Sequence, residues 1–308
     1  MTQRRPGRNG FTIVELLTTI GIIAALTAIL IPAVNAARNS ARKTGCANNM
    51  RQIGLAITGY ESARSEFPVG QTWVSRRPED AFPYAWSMSI LSFLEQQQVA
   101  DQFNKSKIFL EPSNLLAAST VIPTYICPGA TEREEHRNSS EQLYNVDGPG
   151  NGLACIDYLG IAGPSPDSVN PASGDLYGSQ RGILIGTKGL KNGDKVKAPK
   201  AVRDADVTDG LSKTACVTEC TGRGLDGDGD FNGTWVSGRN VGHIAKTING
   251  TKASKSWQKE RVFSEHPGGA HFLMCDGSLQ FLRTDTTKQV LKAIASRNGE
   301  EKIDVPAE

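Results

Sequence analysis

The chain has 308 residues, enough for one large domain or two small ones with extra segments. Its 34 basic and 32 acidic residues give +2, and because Arg4, Arg5 and Arg8 lie in the first ten residues, the part from Phe11 onward has 31 against 32, or −1. A body this close to neutral excludes nucleic acid as the main partner, which needs a basic face, while 38% hydrophobic residues suffice for a core and 32 Gly with 15 Pro predict many turns and short strands.

Residues 1–10, MTQRRPGRNG, are polar and basic. Residues 11–31 form an apolar run, closed by Pro32. As a helix this run spans about 31 Å, matching a hydrocarbon core of about 30 Å. The preceding positive charge predicts a cytoplasmic leader and an outward-facing body. A secretory signal would have a shorter apolar core followed by a small residue. Here the small residue, Gly10, comes first. An uncleaved signal anchor is the competing reading. Glu15 separates the two. A carboxylate within a span costs roughly 2.5 kcal/mol or more and so marks function. It is the fifth residue counted from Phe11. Cleavage after Gly10 would free the Phe11 amine to meet Glu15 of a neighbouring subunit, neutralising two charges that are each expensive in lipid.

Gly10-Phe11-Thr12-Ile13-Val14-Glu15 resembles the processing site of type IV prepilins and of type II secretion pseudopilins. The resemblance implies a prepilin peptidase that cuts after Gly10 and methylates Phe11. It also implies other pilin-like subunits as partners through the N-terminal helix. The place implied is the bacterial inner membrane, with a single pass and the body outside the cytoplasm. The organisation expected is a leader (1–10), a transmembrane half-helix (11–31), a helical stem (32–66) and a β-rich globular domain (67–308).

In the stem, Met50, Ile53, Ile57 and Tyr60 follow helical spacing, and Pro68 marks a stop. The pattern predicts a helix from 11 to about 62, kinked at Pro32. Residues 84–104 read as a second helix with Ile90, Leu91, Leu94 and Phe103 on its apolar side. From 120 the runs TVIPTYICPG, CIDYLGIAG, RGILIGT, KTACVTEC and TWVSG predict short antiparallel strands, with 163–181 as a flexible excursion. Asp276-Gly277, between the apolar positions Phe272 and Met274 on one side and Leu279 and Phe281 on the other, predicts a hairpin with a two-residue turn. His266 and Asp276 then lie at opposite ends of one strand and form no catalytic dyad. Residues 286–296 read as a final short helix. The fold class is therefore α+β: a long N-terminal helix packed on a large antiparallel β-rich domain.

Several segments of the body resemble a bacterial family of unknown function that joins a prepilin-type N-terminus to a C-terminal H-x9-D-G motif. They are Gln52–Ala56, Leu94-Glu95-Gln96, Ile126-Cys127-Pro128, Asp157-Tyr158, Thr208-Asp209-Gly210 with Ser212 and Thr214, and His266-Pro267-Gly268-Gly269-Ala270. The motif itself is His266 followed by Asp276-Gly277. Glu219 departs from the family's pattern in being followed by Cys220. The resemblance implies the architecture of a pseudopilin with a larger body.

No G-x-S-x-G, Walker A or H-E-x-x-H occurs, and no histidine pair has the i, i+4 spacing of a helical metal site, so no enzyme is expected. The six cysteines contain no C-x-x-C; disulfides in an exported body and buried thiols both fit. Asp226, Asp228, Asp230 and Asn232 alternate in LDGDGDFNGTW, as oxygens around calcium do, although Phe231 and Ser237 stand where an EF-hand loop needs Gly and an acid. A solvated acidic turn is the alternative. The function expected is a pilin-like or pseudopilin-like structural subunit. An anchored solute- or polysaccharide-binding module and an anchored enzyme of unknown class are the runners-up.

Overall fold

The computed structural model describes residues 12–72, 84–130, 153–179, 181–186, 201–222, 233–250 and 262–301. Helix α1 runs from Ile13 to Arg64 and continues through Pro32. It opens on a capping box: the Glu15 carboxylate accepts from the Thr12 N–H at 2.9 Å, and the Glu15 N–H donates to Thr12 Oγ1 at 3.2 Å. It ends where Ser65 turns left-handed at φ 56° and donates its N–H to the Glu61 carbonyl. The chain divides into two compact units, Met1–Arg42 and Lys43–Glu308. In the first, the large apolar side chains from Ile13 to Val34 are exposed. The helix is long and apolar enough to cross a membrane.

In the second unit the end of α1 buries Cys46, Met50, Ile53 and Ile57, with Tyr60 half-buried beside them, while Leu55 on the opposite side is exposed. Met50, Ile53, Ile57 and Tyr60 are the predicted stripe, and Cys46 extends it by one turn at the same alternating spacings of four and three. It packs on a five-stranded sheet of order β5-β3-β4-β6-β7. The strands are β3 (Tyr158–Pro164), β4 (Ala215–Glu219), β5 (Val241–Ile244), β6 (Gly269–Met274) and β7 (Leu279–Arg283). A two-residue pair, β1 (Gln71–Thr72) and β2 (Tyr84–Ala85), stands apart. The sheet has two covered faces. Ile161, Ala215, Ala270, Phe272 and Met274 pack with Leu291 and Ile294 of α5 (Lys288–Ala295). Val217 and Leu273 join the core that holds Met50 and Ile53. Gly54 lets the stem approach: a Cβ there would stand 2.8 Å from Leu273 Cδ1.

The hairpin and the final helix form as expected, but four expectations change. The sheet is mixed, because β5 pairs parallel with β3. Residues 84–104 are broken into β2, α2 (Trp86–Ser89), a 3-10 turn at Leu91–Leu94 and α3 (Gln97–Asp101). Glu95 interrupts them in the left-handed region at φ 60°, and Trp86 is drawn into the core with its Nε1 on the Asn240 carbonyl at 2.9 Å. Ile90, Leu91, Leu94 and Phe103 are all buried, so the apolar positions hold while the helix does not. TVIPTYICPG forms a 3-10 turn at Pro123–Tyr125 after α4 (Pro112–Ala118), and RGILIGT and TWVSG make only isolated bridges. The expected flexible excursion is a loop bonded to itself, with Val169 paired to Leu176 and the Asn170 N–H on the Asp175 carbonyl.

Candidate functional site

Three chain segments converge on the end of β4. The stem brings Cys46, in a disulfide with Cys127 across 81 residues of sequence. Such a loop closure stabilises by about 2–4 kcal/mol. The Cys127 loop is held further by Asn49, whose Nδ2 donates to the Ile126 carbonyl at 2.9 Å. It is also held by Asp157, whose carboxylate accepts the N–H groups of Cys127 at 2.8 Å and Gly222 at 2.9 Å. The third segment, running into β6, lies along the end of β4, with the Phe263 N–H on the Glu219 carbonyl, and delivers His266.

At the centre is Glu219, fully buried. Its Oε1 lies 2.8 Å from His271 Nδ1 and 3.3 Å from His266 Nε2; its Oε2 accepts the His271 backbone N–H at 3.0 Å. Burial by itself would raise this carboxyl, but the hydrogen bonds and charge of His266 and His271 outweigh it and hold the pKa down to about 2. An ionised carboxylate only accepts, so both ring nitrogens that face it carry protons in this arrangement. His266 Nε2 also lies 3.5 Å from Cys127 Sγ. Gly129 is required here, since a Cβ would stand 2.4 Å from the His266 ring. Behind His271 stands Phe281, with ring centroids 4.9 Å apart, and Lys43 Nζ sits 3.2 Å over the Phe281 ring.

His266 and Asp276 are not brought together. Asp276 Oδ1 accepts the Ser278 N–H at 2.9 Å and caps the β6–β7 turn, in which Gly277 is left-handed at φ 83°. The turn has three residues rather than the expected two, because Met274 and Ser278 still pair. Gly10, Phe11 and the acidic run Asp226, Asp228, Asp230 and Asn232 lie outside the described residues. Cys46 and His271 carried no signal of their own. Glu219 did carry one: an acid among the apolar residues of a strand whose burial is complete.

A cleft of about 760 Å³ lies between the loop at Asn170–Tyr177 and the segment Ser296–Glu301. Arg181 is tied down inside it, Nε to the Tyr177 carbonyl at 2.9 Å and Nη1 to Asn298 Oδ1 at 3.1 Å. Burial raises both the Tyr177 hydroxyl and the Glu301 carboxyl, which hydrogen-bond each other.

The profile of a family described as "Protein of unknown function (DUF1559)" matches residues 35–289. The chain belongs to that family. The DUF1559 match takes in the stem from before Cys46, the whole sheet and every residue of the Glu219 cluster, and leaves the apolar segment 13–34 outside it. No curated protein and no solved structure matches the chain.

Proposed function

We propose that this DUF1559 protein is a membrane-anchored, pilin-like structural subunit of a type IV pilus-like or type II secretion-like assembly. On this reading it is cut after Gly10, methylated on Phe11, and held in the inner membrane with its body outside the cytoplasm. The observation that carries the reading is the helix Ile13–Arg64. One half leaves its apolar side chains exposed, as a lipid- or subunit-facing segment does, and the other half is built into a folded body. Glu15 within the exposed half, the fifth residue counted from Phe11, distinguishes this helix from a plain anchor. The reading assigns the chain no catalysis. Its partners are a prepilin peptidase and other pilin-like subunits.

The test is the intact mass of the protein extracted from membranes. A chain beginning at Phe11 with one added methyl group is expected, and Gly10→Val should leave the leader attached, since a β-branched residue crowds the scissile bond. A mass that includes Met1–Gly10 in the wild type would overturn the proposal. The cleft beside Asn170 favours one second reading, an anchored module that captures a polar solute or saccharide. Calorimetric titration with a saccharide panel tests it, and retention of the protein in sheared surface fibres separates the two.

A further inference from the structure

We infer that Cys46, Cys127, His266 and Glu219 form a closed tetrahedral zinc site when the Cys46–Cys127 bond is reduced, so that one set of side chains holds either a disulfide or a metal. Both sulfurs, an imidazole nitrogen and a carboxylate oxygen lie within 4.8 Å of one another, all from buried residues. A disulfide needs no such company. Its stabilisation comes from closing a loop, which needs neither the imidazole 3.5 Å from Cys127 Sγ nor the carboxylate beside that imidazole. For a metal the same four groups are the donor set: two thiolates, a borderline nitrogen and one hard oxygen suit zinc above the other common divalent ions. With zinc–sulfur bonds of about 2.3 Å, tetrahedral geometry sets the two sulfurs about 3.7 Å apart. On this assignment, reduction lets the two cysteine side chains rotate apart to that separation.

The surroundings are those of a ligand shell. The Gly129 N–H points at Cys127 Sγ at 3.4 Å, the contact that stabilises a thiolate. His271 Nδ1 donates to the Glu219 carboxylate at 2.8 Å and fixes its orientation. Asp157 anchors the Cys127 backbone. In the step itself, a phosphine reductant gives two electrons to the disulfide and is oxidised to its oxide, taking oxygen from a water whose two protons complete the two thiols. Zinc then displaces both thiol protons. The His266 proton moves from Nε2 to Nδ1 or to solvent, which frees the nitrogen lone pair.

The experiment uses the full chain in detergent, with cobalt(II) as the spectroscopic stand-in and zinc(II) as the competitor. After reduction with a phosphine and removal of excess reagent, the wild type should take up one cobalt per chain. It should show the visible bands of tetrahedral cobalt and a thiolate charge-transfer band, both erased by zinc. The oxidised protein should take up none. His266→Ala and Cys127→Ser should each lose the bands, while Glu219→Gln should bind at least tenfold more weakly, the scale of a lost ligand or its support. Variants that fail to fold do not decide the matter, because the wild type carries its own readout. Zinc should protect Cys46 and Cys127 of the reduced protein from alkylation, as mapped by peptide mass, and leave Cys216 and Cys275 as they were. No cobalt bands in the reduced wild type, bands that persist in folded His266→Ala, or equal alkylation with and without zinc would each overturn the assignment.

Discussion

Glu219 shows how much one buried carboxylate can control. Its charge is kept because two imidazoles and a backbone N–H face it, and losing any one of these would weaken that compensation in a fully buried site. In the disulfide-bonded protein its pKa is held at about 2, against an ordinary value of 4.5. A depressed carboxylate stabilises the fold fully above its unfolded pKa, and that contribution drains away as the pH falls toward the folded value. Between about pH 5 and pH 2 the body should therefore lose on the order of 3 kcal/mol through this residue. Glu219→Gln should lower stability near neutrality by a similar amount and flatten the acid slope. Urea unfolding of the two proteins across that pH range checks this, and parallel slopes would show that other groups set the acid response. The sequence held half of this site. The segments around Cys127, Asp157 and His266 were separate motifs in a linear reading, and the fold makes them neighbours. What no periodicity could supply was the pairing of Cys46 with Cys127, or His271 with Glu219 across 52 positions. The first depends on where the stem packs, the second on β4 lying beside β6 in the sheet.

Among the elements, the β6–β7 hairpin is the most local and the most legible. Alternating apolar positions set its register, Leu273 opposite Leu279, and the Asp-Gly step sets its turn. Asp276 acts through its carboxylate oxygen on the Ser278 N–H and hydroxyl. Asp276→Ala should cost about 1 kcal/mol, while Asp276→Asn, which keeps an acceptor oxygen there, should be nearly neutral. Gly277→Ala should also cost about 1 kcal/mol, because φ 83° is left-handed. Thermal midpoints of the three variants give the ranking, and an Asn variant as weak as the Ala one would remove the acceptor role from Asp276. The stem is legible for the same reason, a helical period kept over several turns. Residues 84–104 were not, since periodicity reports which side chains are buried and not whether the backbone stays helical between them. Here Trp86 and Ser87 anchor to Asn240 and Trp235, and those tertiary bonds override the local pattern. The parallel β3–β5 pair escaped for a similar reason, because two strands about 80 residues apart leave no mark of their relative direction in either sequence.

At the scale of the whole molecule, the chain joins a body that folds around its own core to a helix segment whose large apolar side chains stay exposed among the described residues. Glu15 sits at the start of that segment with two roles open to it. Within one chain it is the second half of a capping box with Thr12. A cap is worth about 1 kcal/mol and needs only an acceptor oxygen. In the proposed assembly it also neutralises the Phe11 amine of a neighbour, which needs the charge. The two demands separate in Glu15→Gln, whose amide oxygen still accepts from Thr12 but carries no charge, and in Glu15→Ala, which does neither. Both variants should leave the thermal midpoint of the body unchanged, because Glu15 lies in the unit Met1–Arg42 and the core is in Lys43–Glu308. Both should still be cut after Gly10. Cross-linking between subunits in membranes should fall in both, and to the same low level, since the missing charge leaves the neighbour's amine unpaired in lipid, a cost of roughly 2.5 kcal/mol or more that exceeds the cap. If Glu15→Gln cross-links as well as the wild type while Glu15→Ala does not, the residue serves only as a helix cap, and the charge-pairing account of assembly fails.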